Sequence, residues 1–591
     1  MVASLQNLSL NAFIGLLPTE LTAEDETQLH FLTHFFIDSQ LSTHICLQII
    51  EQKKDLKLLP YFSNNTLSII PPLKQLHKGA LDCLDITKIL LEAFPNLKAL
   101  DFSAQQLPNL DELNLSHLEE LNFQGCQSFS ENPLHLTQDK YPHLKKLSLN
   151  GSDITSLEGV NLPLLEELDI SRCRDLPAEA FLKLKDQCPH LKKLSLEDTK
   201  IASLNGLELT QLEELNLNLC YSLPVEEFLK LKDQCPNLKK LDLFGTQIAS
   251  LEGLELPLLE ELNLNDCQNL SPHEFLKFKD KYPNLKKLNL WSTSITSLDG
   301  VELTQLEELN LNYCLNLPPH EFLKLKDQCP HLKKLNFNNT TIASLDGLDL
   351  PQLEELDLGN CSDLLPEEFL KLKCPNLKKL SLEDTKIASL DGLDFPQLEE
   401  LDLGNCINLL PEEFLKLKTK YPHLKKLNLI STQIASLDGL DLPQLEELTL
   451  SRCHNLPAEE FLTLKAKCPN LKKLSLWSTR IASLDEMDLP MLEELNLDHC
   501  KSLPPEEFLK LKAKCPNLKK LDLAGTQIAS LDSLEFSHLE ELTLNRCQNL
   551  SVDALLYLKC PNLKKLYTEK VNFATSLESF KQKHPQMIVW T

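Results

Sequence analysis

The tetrapeptide Leu-Glu-Glu-Leu begins at residues 118, 165, 212, 259, 306, 353, 398, 445, 492 and 539. Between these copies stands Leu-Lys-Lys-Leu, beginning at 144, 191, 238, 285, 332, 377, 424, 471, 518 and 563, with a degenerate Leu-Lys-Ala-Leu at 97. Each step between Leu-Glu-Glu-Leu copies is 47 residues except one of 45, where Leu-Lys-Asp-Gln-Cys is shortened to Leu-Lys-Cys at Cys374. A period therefore splits into a long half of 26 residues and a short half of 21. A chain that repeats at this length buries each unit's apolar face against the next unit. That predicts a solenoid. The 591 residues are too many for one compact core but suit a fold that grows by stacking.

Both halves open with L-x-x-L-x-L, the alternation of a half-buried strand. In the long half a Cys follows, then a Leu, a Pro and paired acids, as at Leu503, Pro504, Glu506 and Glu507. Pro and acids at a first turn predict a helix. Phe508, Leu509 and Leu511 give it an apolar face, and Pro516 ends it. In the short half Thr246 takes the place of the Cys, and its hydroxyl is suited to bond the turn backbone. Ile248, Leu251 and Leu254 then span too few residues for a full helix, which predicts a 3₁₀ or irregular segment.

Over residues 97–566 this pattern resembles the leucine-rich-repeat superfamily. The long half, C-x-x-L…L-x-x-x-C-P-N-L, is similar to the cysteine-containing subclass known from F-box adaptor proteins. The short half is similar to the 21- to 22-residue subclass of internalins and phosphatase regulators. The resemblance implies an α/β solenoid, a horseshoe or arc with a parallel sheet and a ligand-binding concave face. The expected domains are a helical N-terminal cap or docking segment at 1–92, a solenoid of about 20 repeats at 93–566, and a degenerate capping repeat at 567–591. The segment Leu17-Pro18-Thr19-Glu20-Leu21 resembles the opening of an F-box, which raises the alternative of a ubiquitin-ligase substrate adaptor. The near-identity of the copies also resembles, in style, repeat-rich effector proteins that intracellular bacteria direct at host cells.

Counting each half from its first Leu, positions 4 and 6 point inward and positions 3, 5 and 7 face the concave surface. Position 3 is Glu in every Leu-Glu-Glu-Leu half and Lys in every Leu-Lys-Lys-Leu half. Parallel neighbours about 4.8 Å apart then form a ladder of alternating sign. The ladder is read as register and solubility rather than as a ligand track, because an exposed pair is worth only about 0.2–1 kcal/mol.

A net charge of −27 argues against nucleic acid and anionic membranes as partners. No apolar run is long enough to span a bilayer, and no secretory leader is evident. Ten of the 19 Cys, from Cys126 to Cys547, occupy one repeat position. Equivalent strands lie about 10 Å apart, beyond the roughly 7 Å reach of a disulfide. Free buried thiols point to a reducing, cytoplasmic compartment. No metal, cofactor or nucleotide motif stands out. The adjacent Cys453–His454 and His499–Cys500 are not a catalytic pair, because each Cys belongs to the buried row.

Recognition is expected where copies differ on the exposed side. Phe244, Trp291, Ile430 and Trp477 hold position 7 of short halves. Arg172, Leu219, Tyr313, Arg452, His499 and Arg546 hold position 8 of long halves. Two groups emerge: Leu219, Phe244, Trp291 and Tyr313, then Ile430, Arg452, Trp477 and His499. Trp, Tyr and Arg are the usual anchors of protein interfaces. The expected function is non-enzymatic binding of a protein ligand.

Overall fold

A computed structural model describes residues 83–590 except 94–96, 106–109, 128, 130–133, 272–273, 275–277, 347, 486, 533, 572, 574–575 and 584–586. The F-box-like motif at 17–21 lies outside the described residues. Of the expected N-terminal cap, the helix Cys83–Ala93 is described, with Thr87 and Leu90 fully buried. The chain divides into two compact units, one through Leu285 and one from Lys286.

In the first unit eight three-residue strands pair in parallel, from Ala99–Asp101 to Glu261–Asn263. In the second unit fourteen do so, from Lys287–Asn289 to Ile588–Trp590. Register sets Leu against Leu, as in Leu215 opposite Leu241, except at the last rung, where Leu566 faces Val589. The central Leu of each strand is buried and its two neighbours stay on the surface, so alternation has its predicted result. At the C-terminal end Ile588–Trp590 adds a last strand beside Lys565–Tyr567. There Trp590 stacks on Tyr567 with ring centres 4.5 Å apart.

The predicted helix of the long half is broken in two. A 3₁₀ segment such as Ala178–Lys183 is followed by one α-turn, Leu184–Gln187. Phe181 and Leu184 must both enter the core three residues apart, a spacing that suits three residues per turn. Where the chain is shortened before Cys374, the 3₁₀ segment Pro366–Lys371 remains and Leu372 is already extended.

The second Glu of the recurring pair does more than favour a helix start. Glu321 accepts from the Ser297 hydroxyl (2.9 Å) and the Leu298 N–H (2.7 Å) of the preceding short half, and its other oxygen meets Lys324 at 2.6 Å. The same clamp recurs at Glu227, Glu368, Glu413 and Glu507. Burial would push the Glu321 carboxyl up, but the Lys324, Leu298 and Ser297 donors outweigh it and hold the carboxyl low. The other four clamps are depressed in the same way. Each clamp sews a short half to the long half after it.

Cys and Thr share one acceptor inside the core. The Leu243 carbonyl receives the Thr246 hydroxyl at 2.8 Å and the Cys267 thiol at 3.1 Å, and Thr246 and Cys267 lie 3.7 Å apart. The arrangement repeats along both units, for example at Leu290 and Leu476. The seventeen Cys whose side chains are described are all buried and form no disulfide. Burial pushes the Cys267 thiol up to about 11 and the Cys235 thiol up to about 12.

Two outcomes follow from this packing. A thiol reagent should titrate no more than Cys46 and Cys83 in the folded protein and all 19 Cys after denaturation; reaction of a third native thiol contradicts the burial. Because the clamp carboxyls titrate below their ordinary range when folded, their stabilisation is present above that range and lost as pH falls through the folded value. The denaturant midpoint should therefore drop between about pH 5 and about pH 3. Glu321→Gln should cost about 1–3 kcal/mol at neutral pH and flatten the acid limb, measured by urea titration.

Candidate functional site

The strand of each half ends in a left-handed residue at position 8. All twenty-one such residues, from Ala104 to Lys570, have φ between 52° and 68°. The turn holds because the position 8 N–H donates to the position 7 carbonyl of the next half, as from Leu219 to Phe244 (2.8 Å) and from Gly245 to Asn265 (2.9 Å). The position 5 side chain supports it from within. Asn216 Oδ1 accepts from the Asn218 N–H at 2.9 Å, and Asp242 Oδ1 from the Phe244 N–H at 3.2 Å. Much of the polar row at position 5 is thus committed to the fold.

The alternating ladder forms as expected. Lys240 lies 3.9 Å from Glu214 and 3.6 Å from Glu261, and in the second unit Lys334 lies 3.6 Å from Glu308 and 3.7 Å from Glu355. A second and tighter row at position 2 was not anticipated. Lys239 meets Glu213 at 2.8 Å, Lys425 meets Glu399 at 2.8 Å, and Glu119 takes Lys98 and Lys145 at 2.7 and 3.2 Å. The signal was present, since position 2 carries the same Glu/Lys alternation as position 3.

Gly, Asn and Asp tolerate positive φ, whereas a branched or bulky residue there is strained by about 1–2 kcal/mol. Six of the ten proposed contact residues stand at these positions: Arg172, Leu219, Tyr313, Arg452, His499 and Arg546. Leu219 lies against Gly245, where an added Cβ would fall 2.8 Å from Leu219 Cδ2. Phe244 is half-buried beside it. Those two belong to the first unit. Trp291 and Tyr313, exposed in the second, sit on adjacent halves joined by the Ser292 to Asn312 bond of 2.9 Å. Ile430 is half-buried and fills the space left by Gly404. Arg452 lies over the Trp477 ring, 4.1 Å from its centre. His499 contacts Asp498 and leans over Gly525. Arg172 is bound to Glu197 at 2.7 Å, and Arg546 is exposed.

Position 10, passed over in the sequence, carries the most exposed apolar side chains of the same turns: Tyr221 (58%), Leu315 (59%) and Ile407 (60%). Variation between copies marks position 10 as clearly as position 8. Acid is concentrated between the apolar groups of the second unit. Burial pushes the Glu383 carboxyl up, helped by Asp402, Asp357 and Asp384. Near the C-terminal end burial raises Asp522 to about 6. The thiols of Cys453 and Cys500 point inward onto the Leu429 and Leu476 carbonyls, away from the neighbouring His side chains. Among the described residues no group of three His, Cys, Asp or Glu could hold a metal ion. No described helix is long and apolar enough to cross a membrane.

The repeated strand, left-handed turn and convex segment define the class. The chain has the leucine-rich-repeat fold, and residues 236–277, 330–371 and 375–416 match the family model "Leucine Rich repeats (2 copies)". A search of curated proteins found no match. Among solved structures the chain is similar to TLR13 in its complex with ssRNA13, at 20% identity and a TM-score of 0.46, covering 85% of this chain and 79% of that one. It is also similar to a leucine-rich-repeat protein of Leptospira interrogans, at 24% identity and a TM-score of 0.38, covering 72% and 95%. A third likeness is to an internalin of Listeria monocytogenes, at 18% identity and a TM-score of 0.37, covering 63% and 97%.

If the turn is the strained element, replacing Leu219 with Asn should stabilise the protein by about 1 kcal/mol. Gly245→Ala should destabilise it. Thermal unfolding of the two variants checks both signs.

Proposed function

We propose that the chain is a non-enzymatic protein-recognition module whose ligand lies across positions 7, 8 and 10 of the turns. The leucine-rich-repeat fold supports protein recognition in general. One observation carries the finer reading. Large side chains stand at left-handed positions where equivalent halves use Gly, Ser, Asn or Asp, so they bear a conformational cost that packing does not require. Tyr313 and Trp291 are exposed, and Arg452 and Trp477 present a preassembled cation–π pair. The charge ladders, the clamps and the position 5 row are occupied by the fold itself. The buried free thiols support residence in a reducing compartment.

A photo-crosslinking amino acid placed at Trp291, Tyr313 or Trp477 should capture the same protein partner from cells, identified by mass spectrometry. Placement at the exposed convex residue Leu370 should not. Capture from Leu370 alone overturns the reading.

A further inference from the structure

The chain has five arginines against a far larger number of lysines, and all five stand at position 8 or 10 of a half-repeat: Arg172, Arg174, Arg452, Arg480 and Arg546. Lysine serves the ladders and clamps, so arginine is reserved for the turn edge. The first unit shows what it does there. Arg172 holds Glu197 Oε1 through Nη2 (2.7 Å) and Nε (3.2 Å), and Arg174 holds Asp198. Both carboxylates come from positions 7 and 8 of the next short half.

Residues 451–480 are a close copy of 171–200, and four of their ten differences fall on this cluster. Ser171-Arg172-Cys173-Arg174 becomes Ser451-Arg452-Cys453-His454. Glu197-Asp198-Thr199-Lys200 becomes Trp477-Ser478-Thr479-Arg480. The arginine at position 8 stays while its carboxylate, and the one that Arg174 holds, are gone. Trp477 now carries the Arg452 guanidinium on its face. Arg480, His454 and, one half further on, Lys501 add exposed cationic or titratable groups. Among the described residues no carboxylate lies within ion-pair distance of Arg452, Arg480 or Lys501. Asp498, at position 7 of the next long half, contacts His499. Backbone bonds from Arg452 to Trp477 and from Ser478 to Asp498, each 2.8 Å, hold these turns in one continuous row.

We infer that this edge binds an acidic peptide segment of a partner protein, whose carboxylates take the places that Glu197 and Asp198 fill in the other copy. The inference rests on the recognition reading above and names the partner's chemistry. A guanidinium fixed on an indole face offers its N–H edge to a carboxylate. The chain's net charge of −27 opposes a long polyanion and tolerates a short acidic segment.

The test is fluorescence anisotropy of the full chain with a fluorescein-labelled peptide of alternating Glu and Ala. A Lys–Ala peptide and an oligodeoxythymidylate of equal length serve as comparisons. Saturable binding of the acidic peptide alone, weakening with salt, is expected. Arg452→Glu with Arg480→Glu should lower the affinity about tenfold or more. Trp477→Glu with Ser478→Asp should close the site from within while leaving the melting temperature unchanged. The reverse exchange, Glu197→Trp with Asp198→Ser, should release Arg172 and Arg174 and add a second site. Absence of acidic-peptide binding at low salt, or binding indifferent to all three exchanges, overturns the inference. Preferential binding of the oligonucleotide overturns it in favour of nucleic acid. A partner crosslinked from Trp291 that ignores Arg452→Glu removes this inference and leaves the recognition reading intact. Acidic-peptide binding with no crosslinked protein at any turn position does the reverse.

Discussion

Every half-repeat closes its strand with a residue at positive φ, and most of the molecule follows from that one turn. The turn stops the strand after three paired residues. It swings position 9 back into the core, where only a small side chain with a weak or short donor fits. Cys and Thr meet that requirement in the two halves, and both find the position 6 carbonyl that the strand leaves unpaired. The same turn throws positions 7, 8 and 10 outward together. Structure and candidate function are thus two faces of one backbone feature.

Alternation between the two halves settles a different problem. Identical stacked strands would set like charge against like charge on every rung. With Glu and Lys alternating, the position 3 carboxylates have an ammonium beside them, and position 2 repeats the device at shorter distance. Each exposed pair contributes little. Their value lies in register, since a slip by one half-repeat would juxtapose equal signs along a whole sheet. The buried Glu clamps act between halves on the opposite side, where desolvation makes a lost partner more costly.

The fold was legible because period and alternation are properties of the chain itself. Strand positions, inward Leu rows, the Cys and Thr rows and the position 3 ladder could all be read from spacing. The long half forms short 3₁₀ and α segments in place of one continuous helix, and its second Glu faces back to Ser and Leu of the previous half. That partner lies more than twenty residues away, beyond any local rule. Position 8 was recognised as variable, but not as strained, since φ has no direct sequence signature once Gly is replaced by Leu, Tyr or Arg. Position 10 and the confinement of arginine to the turn edge were open to reading. Neither acquires meaning until the direction of the turn is known.

Near-identical copies make the chain its own set of controls. A residue kept in most copies answers a demand of stacking, as Leu, Cys, Thr and the clamp Glu do. A change confined to one copy answers something else, or nothing. Drift at tolerant sites favours residues that cost little, and at a left-handed position those are Gly, Asn and Asp. Leu219, Tyr313 and Arg452 go the other way. At 452–480 the change is also coordinated, since two acids are lost, an aromatic ring is gained beneath the retained guanidinium, and a lysine becomes arginine. Independent surface drift has no reason to remove the partner of a cation and supply it with a ring. A surface shaped to meet a carboxylate from outside requires those changes together.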